Sequence, residues 1–109
     1  MKNIKIGYQT YPIETWEPTQ ATSNEASGEF FARDKKIGVD GREVGAAKVN
    51  TLVHEILHGI VYQYGLELED KQEETIVNVL SNGLTQVFVD NAQFTDWIKT
   101  TLKNDKKSK

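Results

Sequence analysis

The chain has two histidines, and they stand four residues apart with a glutamate directly after the first: His54-Glu55-Ile56-Leu57-His58. Residues four apart on an α-helix lie one turn apart on the same face, so both imidazoles can reach one metal ion, while Glu55 projects about 100° round the helix, beside a water on that metal. Zinc suits imidazole ligands, and a zinc ion with an open position lowers the pKa of its water to about 7. A carboxylate beside that water can serve as general base. The HExxH pattern therefore makes His54 and His58 candidate ligands of Zn²⁺ and Glu55 the candidate catalytic residue. Around them stand uncharged Thr51, Leu52, Val53, Ile56, Leu57, Gly59 and Ile60. A ligand helix set into a core needs such flanks, because buried polar groups require a compensating partner such as a metal.

A catalytic zinc takes three protein ligands, and no third histidine and no cysteine exist to supply one. The longer pattern with a third histidine would place Gly at 61 and His at 64, where this chain has Val61 and Tyr64, and Met1 as the sole methionine leaves no Met-turn. A carboxylate remains. Glu67, Glu69, Asp70, Glu73 and Glu74 follow the HExxH segment, and the last two open the next helical stretch. Helical phase favours Glu73, which falls within the stripe of Ile76, Val77, Leu80 and Leu84; Glu74 has Asn78 one turn on, where an amide could hydrogen-bond a ligand histidine. Spacing leaves both open. The glutamate that is not a ligand is expected to be a solvated or N-terminal-turn carboxylate, favoured there by the helix dipole.

The elements that must hold these residues follow from periodicity. Asp40-Gly41-Arg42-Glu43 resembles a capping box, and apolar residues recur at helical spacing from Val49 to Val61, which predicts one long helix ending near Gly65. Ile76, Val77, Leu80, Leu84, Val87 and Phe88 predict a second helix over 70–90 with that face in the core, and 94–102 a shorter third. Gly59 and Gly83 would ease close helix packing. The first forty residues, with Pro12 and Pro18 and alternating Ile4, Ile6 and Tyr8, predict strands and loops without helix. Gly28–Ala32 and Lys36–Val39 flank Arg33-Asp34-Lys35 as a hairpin would. The expectation is an α+β fold: a small, mostly antiparallel N-terminal sheet followed by helices, as a single domain over 1–103 with 104–109 a solvated tail.

With 109 residues, 38% hydrophobic and 27% charged, the chain suits one core. A net charge of −3 lacks the basic excess that nucleic-acid binding relies on. The lack of cysteine excludes disulfides and thiolate sites and accords with a reducing compartment. No apolar run is long enough for a membrane span or a signal peptide, so a cytoplasmic location without membrane or nucleic-acid partners is expected.

His54-Glu55-Ile56-Leu57-His58 followed by Glu74-Thr75-Ile76-Val77-Asn78 resembles the gluzincins, HExxH peptidases whose third zinc ligand is a glutamate on a following helix with an acidic or amide residue four positions later. Over residues 37–90 the chain is similar to the short HExxH proteins of phages and mobile elements and to the ImmA/IrrE-like group. The resemblance selects Glu74 over Glu73 and implies a zincin-like fold and a zinc-dependent endopeptidase acting on a peptide or protein substrate. The chain lacks the downstream subdomain from which large gluzincins stabilise an oxyanion, leaving Tyr8, Tyr11, Tyr62 and Tyr64 as substitutes. The alternative that the resemblance admits is a catalytically weak zinc-binding regulatory module of phage type that binds a protein partner. The expected substrate strand adds to the sheet edge in the 28–39 region. Oligomeric state is not legible.

Overall fold

The computed structural model describes residues 1–24 and 26–108. Strands β1 (Asn3–Ile6) and β2 (Gln9–Trp16) form a hairpin; a short helix α1 (Pro18–Asn24) leads to β3 (Gly28–Phe31) and β4 (Lys36–Asp40); helices α2 (Gly45–Gln63), α3 (Asp70–Asp90) and α4 (Ala92–Ser108) complete the chain. The fold class is α+β, with one four-stranded sheet in the order β1-β2-β4-β3.

The sheet is mostly antiparallel, as expected, but one of its three pairings is parallel, which makes it mixed. β1–β2 and β3–β4 are antiparallel, but β2 and β4 run parallel, Ile13 opposite Ile37 and Trp16 opposite Asp40. A parallel pair needs a crossover of a dozen or more residues, and the 17–35 segment with α1 and β3 supplies it. α1 also departs from expectation. Pro18 occupies its first position, where a missing N–H is no loss, and the Glu17 carbonyl accepts the Ala21 N–H at 3.0 Å. The proline that reads as a helix breaker is a helix start.

The tight β1–β2 connection depends on Gly7 at φ +61°, the first central position of a two-residue turn where glycine avoids strain. The 28–39 hairpin forms as expected, with Phe30 opposite Ile37 and Lys35 at φ 56° in the turn. One sheet face forms the core: Ile6, Tyr11, Ile37 and Val39 pack with Phe30 and, from α2, Leu52 and Ile56. On the other face Trp16 is buried against Gly38, where a Cβ would lie 2.3 Å from the indole, and Phe31 meets the indole edge-on at 6.3 Å.

α2 begins later than the Asp40-Gly41-Arg42-Glu43 signal suggests. Asp40 ends β4 and its carboxylate accepts from the Arg42 backbone N–H at 2.9 Å and from Nη2 at 2.8 Å, so no capping box forms there. The N-cap is Val44, without a side-chain cap, and Glu43 instead accepts the Thr51 hydroxyl. The helix stops as expected: Gly65 at φ +69° follows Tyr64, and the Leu66 N–H reaches the Val61 carbonyl at 3.1 Å.

α3 forms over the expected residues, with a capping box of Glu69 and Gln72, but it is rotated from the expected face. Its buried residues are Val77, Ser81 and Thr85, whereas Ile76, Leu80 and Leu84 are exposed. Small side chains at i, i+4 and i+8 let α3 pack closely on α2, and this rotation carries the start of the helix toward the histidines. Gly83 has open space about it and serves no packing contact. The third C-terminal helix runs well past Leu102, so 104–108 is helical, with Thr101–Lys106 exposed; Lys109 lies outside the described residues. Among the described residues, no helix is long and apolar enough to cross a membrane.

Candidate metal centre

α2 rests on the sheet through Gly59, where a Cβ would lie 2.7 Å from Ile6 Cδ1 and 3.2 Å from the Phe30 ring. That close approach follows directly from the residue after His58, and it fixes the turn bearing both imidazoles. β3 crosses above the same helix: a Cβ at Gly28 would meet Thr51 Cγ2 at 2.8 Å and Glu55 Cγ at 3.3 Å. The cleft between β3, α2 and α3, about 390 Å³, is floored by His54, Glu55, His58 and Glu74 and walled by Gly28, Glu29 and Phe30.

Within it the side chains of three residues converge. His54 Nε2 lies 3.0 Å from Glu74 Oε1, His58 Nε2 lies 3.0 Å from Glu74 Oε2, and the two Nε2 atoms are 3.2 Å apart. Ligands about 2.0–2.1 Å from a tetrahedral ion stand roughly 3.3–3.4 Å from one another. His54, His58 and Glu74 thus lie close enough to hold a metal ion.

Glu73 has a different place. Its Oε2 is 2.6 Å from His58 Nδ1, on the far side of the ring from Glu74. Glu73 lies in the first turn of α3, as expected, but it is not solvated: it, and not the Asn78 amide, is the partner of the His58 ring, and Asn78 lines an adjoining chamber. An ionised carboxylate accepts only, so Glu73 selects the His58 tautomer with its proton on Nδ1. The Nε2 lone pair then faces a second carboxylate and a second imidazole. A neutral His58 cannot donate to both glutamates; a cation at Nε2, proton or metal, resolves the conflict. The donor chemistry of the cluster therefore fits a bound metal, with Glu73 orienting a ligand from behind. Replacing Glu73 by alanine is expected to weaken zinc binding about 10–100-fold, measured by competition with a chromophoric chelator, with Glu73→Gln intermediate because its amide oxygen still accepts from Nδ1.

Glu55 is 6% exposed and is one of two buried residues in α2. Burial, reinforced by the charges of Glu74 and Glu29, pushes its carboxyl up to about 7, against the pull of His58 and a Phe30 backbone hydrogen bond. Burial also holds His54 below its ordinary value, which the neighbouring Glu74 carboxylate opposes, so the imidazole stays neutral and able to ligate. A buried carboxyl beside the ligand cluster and an imidazole without its proton are the groups that metal-assisted hydrolysis uses.

The four tyrosines divide. Tyr11 is core and its hydroxyl accepts from Gln63 Nε2; Tyr8 and Tyr64 are exposed; Tyr62 packs on Phe30 at 5.9 Å and lines a groove that includes His58 and Glu73. Only Tyr62 borders the site. Glu67 lines that groove, while Glu69 caps α3 and Asp70 begins it, so neither belongs to the converging set. Sequence reasoning misses the role of Glu73 and the crossing of β3 at Gly28; phase places Glu73 toward α2, but spacing cannot say which histidine nitrogen it meets. Set against known proteins, the chain matches no family model, no curated protein and no solved structure, and the geometry of His54, Glu55, His58, Glu73 and Glu74 is what bears on its function.

Proposed function

We propose that this chain is a zinc-dependent endopeptidase of gluzincin-like design with a zincin-like arrangement of sheet and helices, working in the cytoplasm. The observation that carries the reading is the buried carboxylate of Glu55 in the same cleft as the converging ligand residues His54, His58 and Glu74. His54, His58 and Glu74 would hold the ion, a set of nitrogen and carboxylate donors that suits zinc, and zinc supplies Lewis acidity toward water and a scissile carbonyl. Glu55 takes the proton of the attacking water and passes it to the leaving amine nitrogen. Glu73 keeps the His58 ring and tautomer fixed, so the ligand set is ordered in advance. The substrate backbone pairs with the outer edge of β3, the sheet's last strand, which sets a scissile bond across the cleft beside Glu55.

Zinc-loaded protein incubated with a diverse peptide library at neutral pH is expected to yield internal cleavages by mass spectrometry, lost on chelation and restored by zinc. A zinc-loaded wild type that cleaves nothing overturns the peptidase reading and favours the regulatory module that binds metal and a protein partner.

A further inference from the structure

The two helical stripes that carry the metal-ligating residues continue beyond them. On α2, Asn50, His54 and His58 follow one another at four-residue steps, and on α3 so do Glu74, Asn78 and Asn82. The two helices run in opposite directions, because His58 meets Glu73, His54 meets Glu74, and Asn50 Nδ2 donates to Asn82 Oδ1 at 2.7 Å. A second rung, made of carboxamides, therefore lies next to the ligand cluster. Asparagine is a poor helix former whose usual helical place is a cap. All three of these asparagines stand within helices.

They line a chamber of about 260 Å³ beside the start of β3, from Ala26 to Gly28. The chamber opens directly onto the cleft, since Gly28, His54, Glu55 and Glu74 border both. Thr51 and Ser81 add to its polar wall, and among the described residues no lysine or arginine lines it. Hydrogen bonding inside it is incomplete. The Asn50–Asn82 bond ties the two helices together, yet it leaves the Asn50 carbonyl oxygen buried without a partner. Among the described residues the Asn78 carboxamide makes no hydrogen bond; only its backbone carbonyl is engaged, by the Ser81 hydroxyl at 3.2 Å. A tie between helices thus accounts for two of the asparagines and not for Asn78.

We propose that this chamber is a specificity-determining subsite for a carboxamide side chain, asparagine or glutamine, of the peptide residue next to the scissile bond. The proposal rests on the peptidase reading of the cleft. A side chain entering the chamber exchanges its hydration for the partners in the wall, which offers donors and acceptors together. A carboxamide supplies both in return. An apolar side chain displaces water from the wall amides and gives them nothing to bond. A carboxylate meets Glu55 and Glu74 and finds no cation. A lysine or arginine brings donors alone, and it lies beside the positive charge of the metal that the cluster would hold.

Peptide hydroxamates test this on the zinc-loaded full chain, because the hydroxamate chelates zinc and fixes its neighbouring residue beside the metal. Two sets are needed, one with the variable residue on the amino side of the chelating group and one with it on the carboxyl side. Each set carries Asn, Gln, Leu, Glu or Lys at that residue. By titration calorimetry, Asn or Gln in one of the two sets should bind about tenfold more tightly than Leu, the worth of one or two hydrogen bonds, with Glu and Lys no better than Leu. Asn78→Leu, at an exposed helical position, should abolish or reverse that preference while far-UV circular dichroism and zinc affinity stay at wild type. Asn78→Gln should retain it. A wild type that binds Leu as tightly as Asn and Gln in both sets overturns the proposal, as does a preference that Asn78→Leu leaves intact. Binding is read rather than turnover. A chain that cleaves no peptide therefore fails the peptidase reading alone, and one that cleaves without this preference fails the subsite alone.

Discussion

Glu74→Ala is expected to reduce zinc affinity by roughly a thousandfold, beyond the 10–100-fold cost of losing a partner behind a ligand. The side chain is half exposed and its contacts are to the two imidazoles, so the metal-free fold has little reason to change. Stability reports the same loss, because a ligand that binds only the native state adds RT ln(1 + [L]/Kd). With free zinc a thousandfold above the wild-type Kd, that addition is about 4 kcal/mol, and for a variant bound a thousandfold more weakly it falls below about 1 kcal/mol. A zinc-induced rise in Tm of about 15 °C or more should shrink to a few degrees. His54→Ala should behave alike. If Glu74→Ala keeps wild-type affinity while His54→Ala does not, the third ligand lies elsewhere, and Glu73→Ala becomes the deciding variant.

The contrast between Glu74 and Glu73 shows where sequence reasoning stops. Adjacent residues on a helix point about 100° apart, so both cannot meet the same atom of His58, and phase alone cannot say which faces the cleft. The choice depends on the rotation of α3, and that rotation is hidden by the residues doing the packing. Ile76, Leu80 and Leu84 carry the strong apolar signal, yet Val77, Ser81 and Thr85 face α2. Small hydroxyl side chains read as neutral in a hydrophobic pattern and still form the tighter seam.

Other parts were legible because their causes are local. The HExxH spacing depends only on helix geometry, Gly65 ends α2 through its own φ, and the 28–39 hairpin declares itself by two strand-like runs about a polar turn. The parallel pairing of β2 with β4 depends on where the 17–35 segment returns, a property of the whole sheet. Pro18 carried two meanings, loop and first helical position, and its immediate neighbours do not separate them.

Glu55→Gln is expected to lower cleavage by about 10²–10⁴-fold, the usual share of a positioned general base, while zinc affinity stays within a few-fold of wild type. The amide matches the carboxylate in shape and can still accept the Phe30 N–H, but it cannot take a proton from water. The metal-free protein offers a second readout through pH. Burial raises the Glu55 carboxyl from 4.5 to about 7, so the folded chain holds its proton across a range in which the unfolded chain has lost it. The folded state binds more protons there, and stability falls as pH rises through that window, by up to about 3 kcal/mol once Glu55 is ionised in both states. Glutamine has no such titration. In urea melts of chelator-treated protein, Glu55→Gln should therefore match wild type near pH 4.5, gain on it as pH rises, and hold a constant lead above pH 7. Parallel pH profiles for the two proteins would show that Glu55 is not the buried, proton-holding carboxyl described here, and unimpaired cleavage by the zinc-loaded variant would remove it from the mechanism.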